Sequence, residues 1–226
     1  MSVVPIEQDG LKALPNTVYV KPPDFDLSIF HGNFALLQPS TKVGGRMSID
    51  LFFRHLADDQ DGKAVGIILS GMGSDGTLGI RTLKEHAGMV MVQEPASEAF
   101  DSMPQSGIST GFVDYIGPPE KLPQMLTDYV QASSQLHVRY IPVTHAVETA
   151  LAKIFVIIRT RTGKDFSMYK QSTVMRRIER RMGLHKLINI DDYVQYLQEK
   201  PQEIEILVKE MLIGLTQFLH RSRCLE

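Results

Sequence analysis

The chain has 226 residues, enough for one or two domains with a real core, and an ordinary apolar content of 43%. No apolar run approaches the roughly 20 residues of a membrane span. The N-terminal Met1-Ser2-Val3-Val4-Pro5 lacks the basic and apolar regions of a signal peptide, and the single cysteine, Cys224, excludes an intrachain disulfide. A cytoplasmic protein without membrane insertion is expected. The net charge of −2 conceals an asymmetry. Residues 1–138 hold 9 Lys+Arg and 16 Asp+Glu, a balance of −7, whereas residues 139–226 hold 15 and 10, a balance of +5. Halves of opposite sign suggest two modules with different partners.

In chain order, Pro15-Asn16-Thr17-Val18-Tyr19-Val20-Lys21-Pro22-Pro23 reads as a short strand between turn signals. Asp24 to Gly32 is expected to turn the chain, and Asn33 to Gln38 to pair back as a hairpin. Ser48 has the chemistry of an N-cap, and Ile49, Leu51, Phe52, Phe53 and Leu56 give the following helix an apolar side. Val65 to Ser70 is a continuous apolar run, the pattern of a strand buried on both faces. It ends in Gly71-Met72-Gly73-Ser74-Asp75-Gly76, after which Thr77 to His86 reads as a helix. Gly88 to Gln93 is a second buried strand, so strand, helix and strand imply a right-handed parallel crossover. Val113 to Ile116 is a last short strand and Leu122 to Ala132 a covering helix. The class read from this half is α/β, a partial doubly wound parallel sheet.

Asp75 is the candidate for chemistry, because it sits at a strand's C-terminal end, where open α/β sheets place their sites. Helix capping is the plain alternative for an aspartate at that position. The glycine-rich turn lacks the spacing of a nucleophile elbow, of a dinucleotide fingerprint and of a phosphate loop. His31, His55 and His86 are scattered, so no metal is expected.

These residues resemble a known family. Pro15 to Pro23, Ile49-Asp50-Leu51-Phe52-Phe53-Arg54, Gly66 to Gly79, and Gln93-Glu94-Pro95 through Met103-Pro104 look like the catalytic domain of the chemotaxis protein-glutamate methylesterase CheB. The resemblance covers about residues 1–130. It implies a Ser-His-Asp triad that hydrolyses the γ-methyl ester of receptor glutamates, with Asp75 as the acid that orients and stabilises the histidine. In the family both serine and histidine lie upstream of the region resembling Met1 to Val4. The chain is therefore expected to lack hydrolytic activity alone.

Beyond Ser133 the pattern becomes helical. Residues 133–145 are read as a linker between an esterase-like domain, 1–132, and a small all-α helical bundle, 146–219. Val147, Leu151, Ile154, Phe155 and Ile158 form one apolar stripe; Val174, Ile178 and Met182 form another. Asn189 and Pro201 start two further helices. Arg176, Arg177, Arg180 and Arg181 follow i, i+1, i+4, i+5 spacing and would make one cationic ridge. A solvated face, an acidic protein helix or phosphates could each lie opposite such a ridge.

Thr160 to Lys170, Ser172 to Met182 and Leu212-Ile213-Gly214-Leu215-Thr216-Gln217-Phe218 resemble the N-terminal helical domain of the chemotaxis receptor methyltransferase CheR. That resemblance implies that the four arginines face the acidic methylation helices of methyl-accepting chemoreceptors, and that Thr216 touches the cofactor S-adenosylmethionine. The family's next domain, which holds the cofactor, has no counterpart in residues 220–226, where the likeness stops abruptly. The expectation is an internal piece of a methylesterase–methyltransferase fusion with an out-of-frame tail and no cofactor bound by this chain. A non-catalytic receptor-binding remnant, or a nucleic-acid-binding basic helical module, are the alternatives.

Overall fold

The structure, a computed structural model, describes residues 1–39, 46–97, 100–138 and 145–213. They form two compact units, Met1–Leu122 and Pro123–Glu226. In the first unit, β1 (Ser2–Pro5) pairs in parallel with β2 (Thr17–Val20), with Val3 opposite Val18. The expected hairpin forms elsewhere than the sequence reading placed it. β3 (Asp26–Phe30) and β4 (Asn33–Leu37) pair with each other, Ile29 opposite Phe34, so the segment read as a turn is itself a strand. The reason is the two-residue link His31-Gly32, with φ of 49° and 73°. Positive φ at both positions matches the tight turn whose twist suits adjacent antiparallel strands.

Helix α1 (Ser48–Gln60) buries Phe53 and Ala57. The strands β5 (Val65–Ile68), β6 (Met89–Gln93) and β7 (Tyr115–Gly117) form a parallel sheet in that order. Central β6 is buried along its whole length, which accounts for its lack of polar alternation. The crossovers are α2 (Thr77–Glu85) and α3 (Ser102–Ser109). Phe53, Ala57, Ile68, Ile80, Leu83, Val90 and Val92 form the core between sheet and helices. Gly79 lets α2 lie directly on α1: a Cβ there would stand 2.6 Å from Phe53 Cβ and 3.1 Å from Asp50 Cα.

The second unit is helical: α4 (Leu122–Val138), α5 (His145–Thr162), α6 (Gln171–Leu184), α7 (Ile190–Glu199) and α8 (Pro201–Leu212). Helix α4 runs through Ser133 to Val138, into the stretch read as a linker. Ser133 and Tyr129 lie against α6 at Gly183, where a Cβ would be 2.9 Å from Ser133 Oγ. The core unites the stripes of α5, α6, α7 and α8 around Ile154, Ile178, Tyr193 and Leu207. Asn189 caps α7, its side chain accepting the Asp191 amide at 3.2 Å, and Pro201 opens α8. No helix among the described residues is long and apolar enough to cross a membrane.

Candidate functional site

The turn that follows β5 is fixed from three directions. Gln93, buried at the end of β6, accepts the Ser70 amide through Oε1 at 2.9 Å. On the α3 side, the Gly71 amide donates to Phe100 O at 2.9 Å and the Met103 amide to Gly71 O at 3.1 Å. Ser102 Oγ accepts the Gly73 amide at 2.9 Å, and Ser106 Oγ donates to Gly73 O at 3.3 Å. Gly76, with φ +97°, turns the chain into α2 where a Cβ would stand 2.8 Å from the Ile68 side chain. Only glycine combines that backbone conformation with that close contact.

Asp75 supplies the third anchor. Its Oδ2 accepts the Ile49 amide at 2.9 Å and its Oδ1 the Asp50 amide at 3.0 Å. Both amides belong to the first turn of α1, whose N-cap residue Met47 makes no side-chain cap bond. Asp75 is therefore a helix cap, but of α1 rather than of the helix it precedes. Ser48, expected to cap α1, is its first helical residue, and the distant carboxylate takes its place. Each carboxylate oxygen accepts one amide, leaving further acceptor positions on both.

Asp75→Ala should destabilise the α/β unit by about 1–2 kcal/mol, the usual cost of losing a cap. Asp75→Asn should cost a similar amount, since its NH2 group would meet an amide donor. Urea melts followed by circular dichroism check this. An aspartate whose only task was to orient a histidine would show no such loss.

Asp50 is the residue that the sequence reading left without a role. It is 1% exposed, and its Oδ1 accepts the Gly79 amide, in the first turn of α2, at 2.7 Å. Burial raises its pKa, the amide of Gly79 opposes that, and the Asp75 charge adds to the rise. An acid inside the apolar run Ile49-Asp50-Leu51-Phe52-Phe53 was the available signal.

In the helical unit the cationic ridge is not a surface. Arg177, Arg180 and Arg181 are 5%, 4% and 6% exposed, and Arg176 is half-buried. Arg181 Nε donates to Glu203 Oε1 at 2.7 Å, and its Nη2 forms a second, short bond to Glu203 Oε2. Arg180 Nη1 donates to Glu210 Oε1 at 2.6 Å, and Arg177 Nη2 to Ile213 O at 3.0 Å. Tyr193 Oη donates to Glu203 Oε1 at 3.0 Å, and His185 Nε2 lies 2.9 Å from Glu203 Oε2. Burial pushes the Glu203 carboxyl up, but hydrogen bonds from His185 and Arg181 outweigh it and hold the pKa at about 2. The arginines thus bind α6 to α8. Arg177, Arg180 and Arg181 are therefore buried side chains and not a solvated face. The acids that claim them were visible: Glu203 and Glu210 share the apolar side of α8 with Leu207. Thr216 lies outside the described residues. Among the described residues no group of three or more His, Cys, Asp or Glu side chains is arranged to hold a metal.

Comparison with known proteins gives two family matches, CheB methylesterase over residues 1–126 and CheR methyltransferase, all-alpha domain, over residues 149–212. An uncharacterized 104.1 kDa protein in the hypE 3' region of Rhodobacter capsulatus is 31% identical over 96% of this chain, which corresponds to 25% of that protein. Both units thus have counterparts in one polypeptide. The protein-glutamate methylesterase/protein-glutamine glutaminase of Thermotoga maritima is 33% identical over 54% of this chain and 37% of its own length. The crystal structure of the Thermotoga maritima CheB methylesterase catalytic domain, 32% identical, covers 53% of this chain and 65% of that domain, with a TM-score of 0.49. The chain spans well under half the length of the two curated relatives. Through residues 1–126 it belongs to the CheB methylesterase family, with a CheR methyltransferase all-alpha domain following in the same polypeptide.

Proposed function

We propose that this chain serves chemosensory adaptation as part of a system that removes and adds methyl groups on chemoreceptor glutamates, and that its α/β unit supplies Asp75 as the acid of a Ser-His-Asp triad. The observation that carries the reading is the placement of Asp75. It stands at the C-terminal end of β5, immobilised by the Ile49 and Asp50 amides, with acceptor positions left over. A carboxylate so held can take the Nδ1–H of an imidazole, fix its tautomer and stabilise the imidazolium that forms. The imidazole Nε2 would remove the serine proton as Oγ attacks the ester carbonyl, then return it to the departing methoxy group as methanol leaves. Water would hydrolyse the acyl-enzyme by the same base. Among the described residues no histidine shares a hydrogen bond with Asp75. We assign the serine and histidine to polypeptide beyond these 226 residues. The relatives' name also includes protein-glutamine glutaminase, and the same triad chemistry would serve amide hydrolysis. Methyl transfer from S-adenosylmethionine, to which Thr216 would contribute, belongs to the methyltransferase side of the system.

The test mixes the chain with methylated receptor and a polypeptide carrying the upstream half of a CheB domain, and follows methanol release. Release that requires Asp75, and is lost in Asp75→Asn under conditions where circular dichroism shows it folded, supports the reading. Release that is indifferent to Asp75, or no release, overturns it. Sedimentation of the chain with receptor in the absence of release would leave the non-catalytic receptor-binding role.

A further inference from the structure

We propose that Asp50 is a positioning residue for Asp75: the two aspartates exchange helix caps, and the exchange fixes the direction in which the Asp75 carboxylate points. This rests on the reading of Asp75 as the triad acid. The connections close on themselves. Asp75 holds the first turn of α1 through the Ile49 and Asp50 amides. Asp50, in that same turn, holds the first turn of α2 through the Gly79 amide. Helix α2 begins at Thr77, two residues after Asp75, so its first turn leads back to the carboxylate where the path began. A shift of either aspartate therefore displaces the amide partners of the other.

Three features separate this from an ordinary pair of caps. The helices touch where the exchange occurs, since a Cβ on Gly79 would lie 3.1 Å from Asp50 Cα. That contact leaves little slack for one helix to move alone. Asp50 is buried, and backbone amides of Gly79, Leu78 and Gly76, all at the start of α2, bear on its carboxyl. Lastly, two carboxyls share the positive ends of two helices, and burial disfavours the charged form of Asp50. The Asp75 charge adds to the rise, and the amides of Gly79, Leu78 and Gly76 act the other way.

The test is amide hydrogen exchange by NMR on the full chain. Asp50→Ala should speed exchange of the Gly79 amide, its direct partner. It should also speed exchange of the Ile49 amide, which bonds only Asp75, by about tenfold or more, while the Val90 amide of the sheet stays protected. Asp50→Asn keeps an acceptor oxygen for Gly79 and should restore both amides. Acceleration at Gly79 with Ile49 unchanged would reduce Asp50 to a simple cap of α2 and overturn the proposal, as would failure of Asn to restore. If Asp50→Ala does not fold, Asp50→Glu carries the question: its longer arm keeps the acceptor but should move the 13C signal of the Asp75 carboxyl, and an unmoved signal overturns the proposal. None of these readouts needs hydrolysis. Coupled amides without methanol release in the reconstituted mixture would remove the esterase reading and leave the aspartate pair standing.

Discussion

Glu203→Ala should destabilise the helical unit by about 3–5 kcal/mol, the cost of removing one partner from a buried ion pair. One small domain has about 5–15 kcal/mol in total, so the substitution comes close to unfolding it. The size follows from what is left behind. Arg181 is 6% exposed and loses both bonds of its guanidinium to Glu203, keeping a longer contact of 3.4 Å to Glu210 Oε1. The Tyr193 hydroxyl, fully buried, loses its acceptor as well. The double replacement Arg181→Met/Glu203→Leu removes both charges together and should recover much of the loss, because exchanging a whole buried pair for apolar side chains of similar volume is often neutral or better. Urea melts of the three proteins decide this. A single substitution no worse than the double one would mean that the buried charge was never stranded.

The same carboxyl sets the acid limit of this unit. Its pKa in the fold is about 2, against an ordinary value of 4.5, so the folded state binds its proton less readily than the unfolded chain does. The resulting stability is fully present above the ordinary value and is lost as pH falls toward about 2. At about 1.4 kcal/mol per tenfold change, it is on the order of 3 kcal/mol. Asp50 works in the opposite sense in the other unit. Its pKa is raised in the fold, so its protonated form favours folding and its contribution fades as pH rises. Acidification from pH 5 toward 2 should weaken the helical unit through Glu203 while relieving Asp50.

Much of this was legible in the sequence. The continuous apolar runs at Val65 and Met89, the Gly76 turn and the stripes of the four later helices all announce themselves by period and punctuation. What was hidden depends on contacts between residues distant along the chain. That Asp75 caps α1 cannot be read from its neighbours, because the amides it serves are 25 and 26 residues upstream. A local view offers α2, and Ser48 as the cap of α1, and both follow normal preferences. The arginine spacing was read correctly and its direction was not. Helical period places four cations on one side but does not say whether that side faces water. The answer lay in α8, where two glutamates occupy an apolar stripe. The hairpin was misplaced because Asp26-Leu27-Ser28-Ile29-Phe30 alternates in a stretch that begins with turn residues, and because His31 is an unusual first residue for a turn requiring positive φ.

Lys84→Met should cost the α/β unit a comparable 3–5 kcal/mol. Lys84 Nζ donates to Asp114 Oδ1 at 2.8 Å, with side chains 3% and 2% exposed. The other Asp114 oxygen accepts the Val90 amide at 2.8 Å. The pair joins the last turn of α2 to the approach to β7, and it sits beside the central strand. Removing the ammonium takes from the buried Asp114 carboxylate a charged hydrogen-bond donor at 2.8 Å. The ordinary value of an Asp carboxyl is about 3.9, so protonation at neutral pH is itself unfavourable by several kcal/mol. Methionine fills the space of the lysine stem, which keeps packing loss out of the measurement. Asp114→Asn distinguishes charge from hydrogen bonding: it retains an acceptor for Val90 and removes the negative charge opposite Lys84. Both single substitutions should lower the urea midpoint. A loss in Lys84→Met with none in Asp114→Asn would place the effect in packing around the lysine stem rather than in the ion pair. Because Gly76 and Asp75 sit at the other end of the same helix, these variants should also slacken the Ile49 and Gly79 amides less than Asp50→Ala does, although they destabilise the unit more. That inversion would separate global stability from the local exchange of caps that aims Asp75.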